Sequence, residues 1–163
     1  MAQAFIALGA NLGDPHAQVR AALERIRALP GVTLLATSRF YRSAPIGPPG
    51  QPFYCNAVCS IRTGWPPAML LGALQGIEDA AGRKRDGERW GPRSLDLDLL
   101  MYDALELDTP SLTLPHPQMH LRNFVLAPLA EIAPGLTVPG RGNVIELLAA
   151  AGNGGLTLWP GSI

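Results

Sequence analysis

The sequence predicts an α+β sandwich in which helices pack on an antiparallel sheet. Three observations carry that expectation: four short segments with the alternation or β-branched enrichment of strands, two helical apolar stripes between them, and the order β-α-β-β-α-β over about the first hundred residues. At 163 residues, with 47% hydrophobic and 16% charged residues, the chain is long and apolar enough to bury a core as one domain spanning 1–163.

The first strand is expected over residues 4–8, ended by the turn-rich run Gly9-Ala10-Asn11-Leu12-Gly13-Asp14-Pro15. Asp14 then offers an N-cap and Pro15 a first helical position, and Val19, Ala22, Leu23, Ile26 and Leu29 recur at helical spacing until Pro30-Gly31. Residues 32–41 read as one long strand and 54–61 as another, with a Pro- and Gly-shaped loop over 43–52. A second helix is predicted from Pro66 or Pro67 to about Ala81, where Leu70, Leu74, Ile77 and Ala81 form a stripe and Gly82 closes it. The fourth strand falls on 94–102. Beyond Asp103 the pattern predicts a Pro-rich bend around His116, a helical piece over 123–132, a last helix over 144–151 and a loosely held Gly-rich tail after Gly152. The β-α-β-β-α-β order is that of the ferredoxin-like sandwich, with the second half as a C-terminal elaboration. Such a fold hosts many functions, so activity must be read from side chains.

Thirteen basic residues balance thirteen acidic ones, which gives no net-charge signal for a nucleic-acid partner. No apolar run is long enough for a membrane helix, and residues 5–8 are too short for the core of a signal peptide. Cys55 and Cys59 sit in an apolar run without metal-ligand spacing, as reduced core thiols do. A cytoplasmic monomer is the expectation.

The sharpest local feature is Leu95-Asp96-Leu97-Asp98-Leu99. Strict alternation on a strand puts three leucines on one face and both carboxylates on the other. Neighbouring carboxylates suit a hard cation such as Mg²⁺, which keeps its remaining positions for water and phosphate oxygens. By itself the pattern reads equally well as an amphipathic strand with a solvated polar face. Its context favours the metal, because five of the thirteen cations, Arg83, Lys84, Arg85, Arg89 and Arg93, precede it within eleven residues. Arginines offer planar donors for phosphate oxygens. Trp90 is costly to leave in water and Gly91-Pro92 fixes how Arg93 leaves the run, so this segment is expected to close over a ligand.

A second constellation is Ser43-Ala44-Pro45 followed by Tyr54 and Asn56. The last two share a strand face opposite Cys55, Ala57 and Cys59, and a ring beside an amide suits a flat heterocycle; a core Tyr and a strand-end Asn are the plain alternative. The loop from Gly9 to Gly13 matches a phosphate loop only weakly and reads as a structural turn. His116 and His120 are four apart, but Pro115 and Pro117 bracket His116, so hydrogen-bonding histidines are expected rather than a helical metal pair.

Taken together, Phe40-Tyr41-Arg42-Ser43, Gln51-Pro52-Phe53-Tyr54-Cys55-Asn56, Arg89-Trp90-Gly91-Pro92-Arg93-Ser94-Leu95-Asp96-Leu97-Asp98 and Leu114-Pro115-His116-Pro117 resemble the 6-hydroxymethyl-7,8-dihydropterin pyrophosphokinase family, over roughly residues 5–133. The resemblance implies Mg²⁺-dependent transfer of diphosphate from ATP to the pterin hydroxymethyl group, a step in folate biosynthesis. It implies that Asp96 and Asp98 hold two Mg²⁺ ions. Gln75, Glu78, Arg85, Arg89, Trp90, Arg93, His116 and Arg122 would form the ATP site, with Arg83 and Arg93 catalytic alongside the two aspartates. Ser43, Ala44, Pro45, Tyr54, Asn56, Trp90 and Phe124 would form the pterin site, with the ring between Tyr54 and Phe124. The chain departs from the family pattern at Ala44, at Pro117 and in the segment Leu121-Arg122-Asn123-Phe124.

Two other readings use the same residues. A ferredoxin-like RNA-binding module fits the fold and the basic run, though its aromatic strand pattern is missing. A nucleotide-sugar transferase also uses D-x-D for a metal, in chains that are usually longer.

Overall fold

The computed structural model describes residues 1–44, 50, 52–82 and 95–161. Strand β1 (Ala2–Ala10) lies inside the main sheet, and it outruns the predicted segment at both ends because every residue has a partner on β4, from Ala2 opposite Thr63 to Ala10 opposite Cys55. Helix α1 (Pro15–Arg27) begins as the sequence dictates: the Ala17 N–H donates to Asp14 Oδ1 at 3.1 Å, and Val19, Ala22, Leu23 and Ile26 are buried.

The long strand expected over 32–41 is interrupted. It forms β2 (Val32–Thr37) and β3 (Tyr41–Ser43), both antiparallel to β4 (Tyr54–Thr63). The break has a local cause. Ser38 donates its N–H to Val58 O at 2.9 Å, but the Val58 N–H is taken by Ser38 Oγ at 3.0 Å, so a hydroxyl replaces a carbonyl in the ladder and the chain leaves strand geometry. Phe40 then turns into the core.

Helix α2 (Pro67–Ala80) buries Leu70, Leu74 and Ile77. It closes at Gly82, whose φ of 91° is cheap only for glycine and whose N–H donates to Asp79 O at 3.0 Å. Strand β5 (Asp96–Tyr102) pairs with the other side of β1. Phe5 faces Met101 and Ile6 faces Leu99, so Leu100 is an extra, bulged residue. The bulge lets Leu99 pack on one side of the sheet while Leu100 and Met101 both pack on the other.

After β5 come two short hairpin-like pairs, β6 (Leu107–Asp108) with β7 (Thr113–Leu114) and β8 (Thr137–Val138) with β9 (Gly142–Asn143). Helices α3 (Asn123–Ile132) and α4 (Val144–Ala151) fall where the sequence places them. They cover the second face of the sheet over Phe5, Val58, Leu100 and Met101, while α1 and α2 cover Ile6, Leu8, Cys55, Cys59 and the three leucines of the acidic strand. The ferredoxin-like sandwich thus has a third layer, contributed by the C-terminal elaboration.

The Gly-rich tail is not loose. Residues Leu156–Leu158 form β10 and extend the sheet to the order β10-β3-β4-β1-β5, with Leu156 opposite Ser43 and Leu158 opposite Tyr41. Pairing there satisfies the outer backbone groups of β3, a driving force that tail composition does not reveal. Among the described residues no helix is long and apolar enough to cross a membrane.

Candidate active site

Leu95, Leu97 and Leu99 are buried among α1 and α2, and Asp96 and Asp98, half-buried between them, point to the opposite face of the sheet. The register extends this face sideways. Asp96 lies opposite Gly9, Gly9 opposite Asn56, and Asn56 opposite Tyr41. Gly9 is the low point of that row: a Cβ added there would lie 3.1 Å from Asn56 Nδ2, closer than side chains normally approach. The acidic strand and the Asn56 amide therefore face each other across bare backbone.

On the Asn56 side, Ser43 Oγ donates to Asn56 Oδ1 at 2.5 Å, and both residues are buried. Tyr54 is opposite Ser43 in register and half-buried, and Ala44 is exposed. Cys55, Ala57 and Cys59 lie in the α1/α2 core, as strand alternation requires. The turn after β1 is structural, since Asn11 is buried and donates Nδ2–H to Pro52 O at 3.3 Å, tying β1 to the lead-in of β4.

On the Asp98 side, the chain after the cis Leu114–Pro115 bond runs beside β5, with the His116 N–H donating to Leu100 O at 2.9 Å. His116 Nδ1 accepts the Gln118 N–H at 3.1 Å, so the neutral ring carries its proton on Nε2. Burial lowers the His116 pKa; the nearby Asp98 opposes that shift and Arg122 adds to it. Arg122 Nη1 is 4.0 Å from Asp98 Oδ2, and its Cζ stands 5.8 Å from the Phe124 ring. His120 belongs elsewhere, its Nε2 2.8 Å from Arg141 Nη1.

Gln75 and Glu78 do not share an environment. Gln75 is exposed, whereas Glu78 is only 4% exposed and its Oε2 accepts the Leu97 N–H at 2.8 Å. A buried carboxylate from α2 thus grips the backbone midway between the two aspartates. The signal was in the sequence, because Glu78 follows Leu74 by four and falls within the apolar stripe of α2. Pro45, Arg83, Arg85, Arg89, Trp90 and Arg93 lie outside the described residues.

Two half-buried carboxylates on one strand face supply hard oxygen donors and leave room for other ligands, a donor set that fits Mg²⁺.

Comparison with known proteins identifies the family. Residues 5–134 match the family described as 7,8-dihydro-6-hydroxymethylpterin-pyrophosphokinase. The chain is 46% identical over 158 residues to the 2-amino-4-hydroxy-6-hydroxymethyldihydropteridine pyrophosphokinase of Pseudomonas aeruginosa, covering 97% of each chain. To the protein of the same name from Haemophilus influenzae it is 47% identical over 148 residues, 91% of this chain and 92% of the other. Among solved structures, an HPPK-DHPS crystal structure in complex with substrates superposes with a TM-score of 0.70 at 12% identity, over 91% of this chain and 43% of that one. A Plasmodium falciparum HPPK-DHPS triple mutant gives 0.71 at 13% identity, over 91% and 44%. This chain spans less than half the length of those solved chains, and the likeness to them speaks for the fold. On the family match and the close relatives together, the chain belongs to the 7,8-dihydro-6-hydroxymethylpterin-pyrophosphokinase family and is an enzyme of that family.

Proposed function

We propose that this enzyme transfers the β,γ-diphosphate of ATP to the hydroxymethyl oxygen of 6-hydroxymethyl-7,8-dihydropterin, with Asp96 and Asp98 holding Mg²⁺. The observation that carries the reading is the face shared by the two aspartates and, across Gly9, the Ser43–Asn56 pair. One side suits a metal-bound polyphosphate and the other a flat, hydrogen-bonding ring.

In this mechanism the pterin oxygen attacks the β-phosphorus in line. A new O–Pβ bond forms, the bond from Pβ to the α-β bridging oxygen breaks, the hydroxyl proton is released and AMP departs. Mg²⁺ at Asp96 and Asp98 would supply charge neutralisation of the phosphate oxygens and a lower pKa for the alcohol. Arg122 and His116 Nε2–H are donors beside Asp98 and suit the nucleotide, with Gln75, Arg85, Arg89 and Trp90 assigned to the same site, while Glu78 supports it from below through the Leu97 backbone. Arg83 and Arg93 compensate the charge that builds on the bridging oxygen. Ser43 fixes the Asn56 amide so that it meets the ring edge, Ala44, Pro45 and Trp90 complete the pocket, and Tyr54 and Phe124 stack on the ring faces.

The decisive assay mixes purified protein, MgATP and the pterin and identifies the nucleotide product. AMP supports the reading, and ADP would make the protein an ordinary kinase. Asp96→Ala should abolish turnover even at high magnesium; near-normal rates would refute its role as a metal ligand. Arg93→Ala should lower kcat far more than it weakens nucleotide binding, and equal losses would reduce Arg93 to ground-state binding.

A further inference from the structure

The segment that follows α4 reaches the proposed pterin pocket from two sides. On one side β10 sets Leu156 opposite Ser43, the residue whose hydroxyl holds Asn56. Just before it, Gly155 runs against Ala44: a Cβ on Gly155 would be 3.5 Å from Ala44 Cβ, and a φ of 70° lets the chain turn there. On the other side Asn123, the first residue of α3, donates Nδ2–H to Gly154 O at 3.0 Å. Phe124 is the next residue. The two walls of the pocket therefore belong to β3 with β4 and to α3, and residues 152–158 bridge them, hydrogen-bonded to α3 at Gly154 and paired with β3 from Leu156 to Leu158.

Both ends of that path are fixed. The Gly152 N–H donates to Leu148 O at 2.9 Å, and the Trp159 N–H donates to Phe40 O at 2.9 Å. Its middle is not packed on a core. A cavity of about 490 Å³ lies against it, lined by Tyr41, Ala127 and Leu148 and by the segment's own Asn153 and Leu156. Because residues 152–155 are exposed beside this open groove, dispersion contacts do little to set the position of the segment, and its hydrogen bonds do more.

We propose that residues 152–158 form a strap that sets the separation between the Ser43–Asn56 wall and the Phe124 wall, and that Asn123 is the positioning residue coupling the strap to α3. The proposal rests on the pterin reading of Ser43, Asn56 and Phe124. Asn123 acts through Gly154, so its removal should loosen the grip on the ring and spare the nucleotide side.

Two variants reach the strap from opposite ends. Asn123→Ala removes the donor to Gly154 O, and Gly155→Val places a β-branched residue at a φ it rarely adopts. Each is assayed at saturating MgATP with varied 6-hydroxymethyl-7,8-dihydropterin, and each is titrated with α,β-methylene-ATP. In both variants the pterin KM should rise about five- to tenfold, with kcat and analogue affinity held within about twofold. A purely structural role would reduce thermal stability and leave the KM of the folded fraction alone. Should Gly155→Val not fold, Asn123→Ala decides: an Asn123→Ala protein with native circular dichroism and an unchanged pterin KM overturns the strap. Failure of the underlying reading shows differently, since the unaltered enzyme would then form no AMP from ATP and the pterin, which overturns both.

Discussion

Glu78 shows how a single buried side chain sets the geometry of its neighbours. Among the described residues β5 is the last strand of the sheet, so the Leu97 N–H that points away from β1 needs a partner, and the carboxylate from α2 supplies it. Glu78→Ala leaves that donor unpaired in the core and should cost about 1–3 kcal/mol of stability, whereas Glu78→Gln keeps an acceptor and should recover much of it. Urea unfolding of the two variants separates the outcomes, and equal losses in both would mean that the charge of Glu78 matters more than its bond to Leu97. Gly9 sets geometry by having no side chain. Gly9→Val should push Asn56 aside and raise the pterin KM more than the ATP KM, and a parallel rise in both would show that the row across Gly9 does not divide the two substrates. The aspartate pair was legible from alternation alone. The burial of Glu78 is legible in the α2 stripe, but its partner is not, because that partner is a backbone group on another element and no side-chain pattern announces it.

At the level of elements, the pairing of β2 and β3 with β4 depends on Ser38. Its hydroxyl is the acceptor for the buried Val58 N–H, and the segment beyond it is clamped to α3: Arg39 N–H donates to Glu131 Oε2 at 2.8 Å and Tyr41 OH donates to Glu131 Oε1 at 2.6 Å. Ser38→Ala should destabilise by about 1–3 kcal/mol through the orphaned amide, while Ser38→Thr retains the hydroxyl and should be milder. Chemical denaturation reads the difference, and a neutral Ser38→Ala would show that water or a shifted backbone can take the place of the hydroxyl. The strand break was hidden in the sequence because Ser38-Arg39-Phe40 has no Gly or Pro to mark it. Helices α1, α3 and α4 were legible because caps and stripes are local. β10 was hidden for the opposite reason: it exists only through pairing with β3, far away in the chain, and its flanking glycines read as a tail.

In the whole molecule the two thiols report on the integrity of the layers. Cys55 and Cys59 lie between the sheet and the α1/α2 layer, and burial pushes each pKa up to about 12, with Asp14 adding to the effect at Cys55. At pH 8 only about one thiol in ten thousand would be a thiolate in the folded protein, against roughly one in ten in an unfolded chain. Native protein should therefore react with a disulfide reagent only as fast as it opens, and the rate should rise steeply across the urea transition. The same shift has a sign for stability. A thiol whose folded pKa is raised contributes stability that is fully present below the unfolded value of 9 and is lost as pH climbs towards 12. Tyr41, also raised to about 12 chiefly by burial and next by its bond to Glu131, adds to the upper end of that window from its own unfolded value of 10. The urea midpoint should thus hold steady up to about pH 8.5 and fall from there upward, and Tyr41→Phe should flatten the upper part of the fall. Fast labelling of both cysteines at pH 8 without urea, or a midpoint that is flat from pH 8 to 11, would show that the sheet and its first helical layer part far more readily than their packing implies.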